Sequence, residues 1–375
     1  MKIALFYHLK SGGALKVTKA IIKYLSVKHQ LITIPYSRKN KGWSLLPRRI
    51  RADWEMLFCS RRTEEKLANK INQQGFDICI VSHNQHFHAP WILRYLTIPS
   101  IFICHEPTRA LFEAFLASSR DWPLVNRLYE HLIRFLKREV EINNAKRADL
   151  IIADSLFSAE SIFRAYGTES TVVYPAVDNQ EFHPVKTEKK NQVIVIGNHE
   201  PQKGLDFAIS VIALIKKPVR PKLIIIGPRQ SNLKPLKKMA KKLEVDLATH
   251  NNLKISQLRK KYSESLVALA TAHLEPFGLS VIESQACGTP VAAVNEGGFR
   301  ETIIHQKTGL LLSRDTAKFA KSLEKLLSNR QRLNLMGKQY AINQAKKFNW
   351  EKYINQLEKA INTVITNHQT KAKSS

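Results

Sequence analysis

Glu275 and Glu283 are two carboxylates eight residues apart, separated by Pro276, Phe277 and Gly278 among others. An apolar run, Leu266 to Ala270, precedes them and reads as a strand, which puts Glu275 on the loop that follows. Gly278 then opens a helical stretch in which Leu279, Ile282 and Ala286 recur at helix-face spacing. Glu283 falls early in that helix. Helical side chains lean toward the N-terminus, so Glu283 is expected to point at the mouth of the strand–helix turn. The same mouth offers free backbone N–H groups and the positive end of the helix dipole, a combination that suits phosphate. A carboxylate beside them can accept two hydrogen bonds from a vicinal diol such as a ribose. Glu275 can reach a second polyhydroxyl group. The chemistry implied is that of a ligand carrying a sugar, a phosphate and another sugar.

The stretch 275–298 resembles the donor-site signature of retaining GT-B glycosyltransferases, glycosyltransferase family 4 (group 1) in particular. Glu-x7-Glu, the enclosed Phe277-Gly278, then Gly288-Thr289-Pro290-Val291 and Gly297-Gly298 stand in the family's order. The resemblance implies Glu283 at the ribose, Lys203 at the diphosphate, and the amides around Gly278, Leu279 and Ser280 at phosphate and sugar. It places Glu275 at the hydroxyls of the transferred sugar. It also implies glycosyl transfer with retention through an oxocarbenium-like transition state, by front-face attack with the leaving phosphate as base. No D-x-D-type metal loop is seen, so no cofactor or metal is expected. Charge on the leaving diphosphate would be met by Lys203 and the helix N–H dipoles.

A strand, Val193–Ile196, leads into Gly197-Asn198-His199-Glu200-Pro201-Gln202-Lys203-Gly204. The family pattern is G-R-x-x-x-x-K-G. Lys203 and Gly204 match it, and Asn198 stands where the Arg is usual. Losing a guanidinium removes a bidentate phosphate contact. Arg229 and Arg300 are candidates to compensate. The alternative reading is a catalytically weak or inactive GT-B protein that binds sugar nucleotides or serves as a scaffold. A different GT-B enzyme, a phosphorylase or an epimerase, is a further alternative, and no pyridoxal-bearing Lys can be placed for a phosphorylase.

The elements that must position these groups alternate through the first half. Ile3–Tyr7, Leu31–Pro35, Ile78–Ser82, Ser100–Cys104 and Leu150–Ala153 read as strands, with continuous apolar character suited to a parallel sheet covered on both faces. Thr18–His29, Glu64–Gln74 and Val125–Ala148 read as helices. This is the pattern of a doubly wound α/β domain, whose ligands gather at the carboxyl ends of the strands. Ser11-Gly12-Gly13 follows the first strand and fits either a tight turn or a loop that approaches a phosphate. The resemblance implies that Gly12 and Gly13 face the donor diphosphate. His105 ends a strand, in Cys104-His105-Glu106-Pro107, and the resemblance implies contact with the transferred sugar, orienting it or helping to accept a proton. Asp154-Ser155 matches the family's Asp-Ser or Asn-Ser position. His83, His86 and His88 follow another strand end without a carboxylate or cysteine beside them, and no metal site is read there.

The chain has 375 residues and 44% apolar content, enough for two globular domains. Pro175-Ala176-Val177-Asp178 with Phe182 resembles the family's interdomain linker. The expected domains are 1–184 on the acceptor side and 185–347 on the donor side. Residues 348–368 are expected to form a helix packing back on the N-terminal domain, and 369–375 a disordered tail. The resemblance thus implies a GT-B architecture, two facing Rossmann-like domains with an interdomain cleft and a returning C-terminal helix. Helices are also expected at Ala317–Asn329 and Leu333–Lys347. The four cysteines form no C-x-x-C pair, as expected of reduced cytosolic thiols. Met1–Tyr7 reads as a strand rather than a signal peptide, and no apolar run reaches the roughly 18 residues of a membrane span.

The formal net charge is +28. Lys234, Lys237, Lys238, Lys241 and Lys242 cluster at helical spacing, and Arg259, Lys260 and Lys261 form a second group. Such a surface attracts anions or is a solvated face. Stacking aromatics are absent around these lysines, which argues against nucleic acid. The segment 37–62 interleaves Arg38, Lys39, Lys41, Arg48, Arg49 and Arg51 with Trp43, Leu45 and Leu46, and suits a membrane interface, an acceptor loop or a surface loop. Residues 109–138 repeat the theme with Phe112, Phe115, Trp122, Leu132 and Phe135. The expected partners are a nucleotide-sugar donor, a carbohydrate or lipid-linked acceptor and an anionic membrane surface. The expected location is the cytoplasm, at the inner face of the cell membrane.

Overall fold

The structure, a computed structural model, describes residues 1–9, 12–36, 47–84, 87–113, 123–228 and 233–374. The basic, Trp43-containing part of 37–46, together with His86, Phe115, Leu116, Trp122 and Arg229, lies outside the described residues. The chain divides into two units. One comprises Met1–Tyr174 and Tyr353–Ser375, the other Pro175–Lys352. The expected boundary lay at 184/185, and the linker-like Pro175–Asp178 turn starts the second unit.

The first unit is built on β1 (Lys2–Phe6), β2 (Gln30–Ile34), β3 (Ile78–Val81), β4 (Ser100–Cys104), β5 (Leu150–Ala153) and β6 (Thr171–Val172). The strands are parallel in the order β2-β1-β3-β4-β5-β6. Ala4 pairs with Cys79, Ile80 with Ile101, and Ile103 with Ile152. Ile3, Leu5, Ile80, Ile101 and Ile103 are all fully buried. Helices on both faces explain why these strands are apolar without alternation. The helix Leu156–Tyr166 was not foreseen. Ser155 caps it, its hydroxyl accepting from the Ser158 amide at 2.9 Å, and Gly167 ends it in the left-handed conformation at φ 65°.

The C-terminal helix, Trp350–Ser374, belongs mostly to the first unit. Tyr353, Ile354, Leu357, Ile361 and Val364 recur on one face and are buried. Glu358 on that helix takes Lys28 at 3.0 Å and His29 at 3.1 Å. Where a tail was expected from Gln369, the helix runs on to Ser374. That run contains neither Gly nor Pro, so nothing in it stops helix propagation.

The second unit carries β7 (Gln192–Ile196), β8 (Lys222–Gly227), β9 (Leu247–Asn251), β10 (Val267–Ala270), β11 (Val291–Val294) and β12 (Gly309–Leu312). Their order is β12-β11-β10-β7-β8-β9, again parallel. β9 was not foreseen, because Leu247-Ala248-Thr249-His250-Asn251 is half-exposed and lacks an apolar run. The expected helix Leu333–Lys347 is interrupted. Arg330–Leu335 and Ile342–Ala345 are α-helical, and the residues between, Met336–Ala341, form a π-helical stretch. Within that stretch Gly337 packs tightly: a Cβ there would lie 2.3 Å from the Gly288 carbonyl oxygen. The bare Cα is what lets the two segments touch. Among the described residues no helix is long and apolar enough to cross a membrane.

Candidate active site

In the second unit the loop after β10 carries Glu275, and the helix Leu279–Ala286 begins behind it. Two glycine contacts fix this loop. Gly298 donates its amide to the Glu275 carbonyl at 2.8 Å. A Cβ on Gly298 would stand 2.3 Å from the Pro276 carbonyl oxygen, and one on Gly297 would stand 2.5 Å from that of Glu275. The Gly-Gly pair is thus a backing plate for the Glu275 backbone. Leu274, just before, adopts φ 45°, a left-handed conformation that costs a Leu roughly 1–2 kcal/mol. The strain sits where the chain turns to present Glu275.

Lys203 meets Glu275. Its Nζ lies 2.9 Å from Oε2 and 3.3 Å from Oε1. The pairing follows from how two loops are pinned together. Gln202 accepts from the His273 amide at 2.7 Å, and the Thr271 hydroxyl donates to the Lys203 carbonyl at 3.2 Å. Gly204, at φ 59°, leaves a Cβ position only 2.2 Å from the Thr271 carbonyl oxygen, so no larger residue fits that contact.

Gly278 caps the Leu279–Ala286 helix at φ 96°, and the Phe299 ring fills the space where its side chain would be. Leu279 and Ser280, half-buried, supply the first helical amides. Glu283 is 4% exposed, and its Oε2 accepts from the Tyr262 hydroxyl at 3.3 Å. Burial first, and the neighbouring Glu283 carboxylate second, push the Tyr262 phenol well above its ordinary value. Tyr262 therefore stays a donor and holds Glu283 in place.

Asn198 is half-buried. Its Oδ1 is shielded from solvent and meets no hydrogen-bond donor among the described residues. Of the expected compensating arginines, Arg300 is exposed and Arg229 lies outside the described residues. The sequence reading missed Arg314. Its guanidinium grips Glu296 at 2.8 Å through both Nε and Nη2, and donates to the Thr271 and Ala272 carbonyls at 2.9 and 3.0 Å. Burial of Glu296 opposes its charge, but the Arg314 bonds outweigh this and hold its carboxyl below the usual range. Arg314 is a brace for the 271–272 turn. Its signal in the sequence is only a charged residue two positions after β12.

In the first unit His105 closes β4. Its Nδ1 lies 2.7 Å from Asp154 Oδ2, and both side chains are buried. Its Nε2 is shielded and has no partner among the described residues. The His105 amide donates to His83 Nε2 at 3.1 Å, and its carbonyl accepts from the Ser158 hydroxyl at 3.2 Å. His83 stacks on His88 with ring centroids 4.3 Å apart, and His88 Nδ1 lies 2.8 Å from the Glu106 carbonyl. Burial, then His88 and His105, drive the His83 imidazole well below its usual range, as an acceptor of an amide proton requires. Among the described residues no group of three or more His, Cys, Asp or Glu is arranged to hold a metal ion.

Gly12, at φ 100°, precedes the helix Gly13–Leu25, and both glycines are exposed. A Cβ on Gly12 would meet nothing within 4 Å, so here glycine serves backbone conformation alone. The helix Leu124–Ala145 shows an open apolar face. Leu124, Val125, Leu128, Leu132 and Phe135 are each more than half exposed, beside exposed Arg127 and Arg138.

Two family models match the chain. The one described as Glycosyltransferase Family 4 covers residues 14–181, and Glycosyl transferases group 1 covers 177–348. A D-inositol 3-phosphate glycosyltransferase of Acidothermus cellulolyticus is 28% identical over 54% of this chain and 51% of its own length. The GDP-Man:Man(3)GlcNAc(2)-PP-Dol alpha-1,2-mannosyltransferase of Xenopus laevis is 26% identical over 48% of this chain and 42% of its own. The chain spans about half the length of the curated relatives it matches. Among solved structures, the sucrose-phosphate synthase of Thermosynechococcus elongatus superposes with a TM-score of 0.77 at 18% identity, covering 98% of this chain and 99% of that one. HepE of Anabaena, in complex with UDP-glucose, gives a TM-score of 0.75 at 15% identity, covering 97% and 100%. These likenesses show the GT-B fold.

Proposed function

Because this chain belongs to the group 1 glycosyltransferases of family 4, we propose that it moves a sugar from a nucleotide-sugar donor to a carbohydrate, lipid-linked or small acceptor, with retention of configuration. The observation that carries the reading is the Lys203–Glu275 pair, 2.9 Å apart, on loops beside the amide end of the Leu279–Ala286 helix. A cation, unpaired helix amides and two carboxylates are the groups that a sugar–diphosphate–ribose ligand requires.

Glu283, held by Tyr262, takes the ribose hydroxyls. Lys203 and the amides of Gly278, Leu279 and Ser280 take the diphosphate, and Glu275 takes hydroxyls of the transferred sugar. As the glycosidic bond to the diphosphate breaks, negative charge grows on the leaving oxygen, and Lys203 with the helix dipole stabilises it. The acceptor hydroxyl attacks from the same face and gives its proton to the leaving phosphate. No metal is routed through these steps. His105, held by Asp154, orients the sugar through Nε2. The UDP and UDP-glucose complexes of HepE support a uridine nucleotide as the first donor to try. A second reading, a weak or inactive sugar-nucleotide-binding protein, is favoured by one observation, Asn198 in place of the guanidinium.

The test is nucleotide diphosphate release from UDP-, GDP- and ADP-sugars, without added metal, alongside Glu275→Ala. Release from one donor that disappears in the variant supports transfer. Binding of a donor without release, with carbohydrate and lipid-linked acceptors supplied, supports the second reading. No donor binding at all overturns both.

The open apolar face of the Leu124–Ala145 helix, flanked by exposed arginines, supports a membrane-surface role at the cytoplasmic face, with anionic lipid as the partner. Flotation with anionic vesicles, lost in neutral ones and in Leu128→Ser/Leu132→Ser, is the expected result. Equal recovery with both vesicle types overturns it.

A further inference from the structure

A second cavity, of about 260 Å³, lies in the Pro175–Lys352 unit at the opposite end of the Leu279–Ala286 helix from Gly278. It is bounded by Pro184–Lys189, by Cys287 and Gly288, and by residues between Arg330 and Lys338. The charged residues of its lining are Lys189, Arg330 and Lys338, with no carboxylate among them. Lys189 runs its stem along the surface and turns its ammonium inward. Its Nζ donates to the Ser265 carbonyl at 2.6 Å and to the Thr289 hydroxyl at 2.9 Å. Both partners are neutral. Thr289 in turn donates to the Tyr262 carbonyl at 2.7 Å, so the hydroxyl is fixed as an acceptor for the lysine. The ammonium is thus held on two neutral oxygens, and the cavity lining carries two further cations and no carboxylate.

We propose that this cavity binds a phosphoryl dianion, as free phosphate or as a small phosphate monoester, on Lys189, Arg330 and Lys338. An ammonium with one N–H left over and a guanidinium are the donors that grip such oxygens. The size sets an upper bound. Pockets for drug-sized ligands occupy about 300–1,000 Å³, so this one takes a small ester and excludes a nucleotide sugar. The site shares no residue with the donor-binding groups and does not rest on their assignment. Its occupant would bridge the linker segment Pro184–Lys189 to the segment that follows Asn329. Burial, with Lys338 nearby, lowers the Lys189 ammonium to about 8. An arriving dianion reverses that pull, so binding at pH 8 takes up as much as about half a proton.

The experiment is calorimetric titration of the full chain at pH 8 with inorganic phosphate, glycerol 3-phosphate and glucose 6-phosphate. Each is run in two buffers of different ionisation enthalpy. The expected result is saturable binding of one equivalent with buffer-dependent heat. Binding should weaken at least about tenfold in Lys189→Met and in Arg330→Ala/Lys338→Ala, since a hydrogen bond to a charged group is worth roughly that factor. Lys203→Ala should leave it unchanged and should instead weaken UDP binding. Tightest binding of inorganic phosphate identifies a free-ion site, and tighter binding of an ester identifies a monoester site. The exposed double variant serves as the test if Lys189→Met does not fold. Absence of saturable binding, binding that survives both variants, or binding lost with Lys203→Ala overturns the proposal.

Discussion

His105 Nδ1 stands 2.7 Å from Asp154 Oδ2, and the other ring nitrogen of His105 is shielded and unpartnered among the described residues. The carboxylate fixes the tautomer. In the neutral ring Nδ1 carries the hydrogen it donates to Asp154, and Nε2 is left to accept from a ligand hydroxyl. In the proposed site Asp154 acts through His105 as a positioning residue. Asp154→Asn replaces an ionic acceptor by a neutral one, a loss of about 1.5–3 kcal/mol where the bond matters. Turnover should fall roughly ten- to a hundredfold with little change in UDP affinity. A pH–rate profile that shifts in Asp154→Asn separates positioning from a merely structural role, which would leave the profile in place.

Glu275 and Lys203 hold one another, and a donor diphosphate bound as proposed competes for the same ammonium. Both side chains are partly exposed, so the pair contributes at most about 1 kcal/mol. Glu275→Gln is therefore expected to tighten UDP binding, up to roughly fivefold, while it lowers sugar transfer. Lys203→Ala should weaken UDP, with a smaller salt dependence than wild type. Titrations at two ionic strengths check both, and weaker UDP binding by Glu275→Gln contradicts the competition.

Gly298 and Gly12 are needed for different reasons, and alanine tells them apart. Gly298 has an ordinary φ of −69°, so Gly298→Ala acts through its clash with the Pro276 carbonyl and the Phe277 Cα. Overpacking of that kind costs about 1–3 kcal/mol and pushes the Glu275 loop away from its backing. Gly12→Ala meets no atom, and its cost, also about 1–3 kcal/mol, is backbone strain at φ 100°. Thermal melts should show both losses. Gly12→Asn should recover none of its loss, because φ 100° with ψ −176° lies outside the left-handed helical region that Asn tolerates, whereas Gly298→Asn should be worse than Gly298→Ala.

His83 must stay neutral to accept the His105 amide, and burial, then His88 and His105, hold its folded pKa well below 6.5. The unfolded state then binds the proton more readily. This contribution is complete above the unfolded value near 6.5 and is lost as pH falls from there toward the folded value. The slope is at most one proton, about 1.4 kcal/mol per pH unit. His83→Asn, which keeps an acceptor without a titrating ring, should show a flatter decline between pH 6.5 and 5 in denaturant melts. An identical decline in both proteins excludes His83 as its source.

Much of the second unit's donor end was legible because its requirements are local. Gly278 marks a helix start, Glu283 follows by helical geometry, and Pro290-Val291 opens a buried strand. The contact of Lys203 with Glu275 was not legible, since two pinned loops from distant sequence create it. Arg314 was not, because a brace is defined by the carbonyls it meets, and those belong to Thr271 and Ala272. The apolar strands β1, β3 and β4 were plain from composition. β9 and the Leu156–Tyr166 helix were not, the first being half-exposed and the second lacking a strong periodic signal. The π-helical break at Met336–Ala341 contains Gly337, which touches Gly288, a partner that no spacing announces.

The C-terminal helix completes a unit that begins at Met1, while Pro175–Lys352 is one continuous stretch. The second unit is in effect an insertion within the first. During synthesis the middle segment can close its own sheet as soon as it has emerged. The first unit waits for Tyr353, Leu357 and Ile361 to cover its surface, so its final packing comes only after the whole middle segment has been made. A ribosome that stops short of Tyr353 leaves a finished donor-side unit attached to an unfinished partner with exposed apolar surface, a form that quality-control proteases recognise.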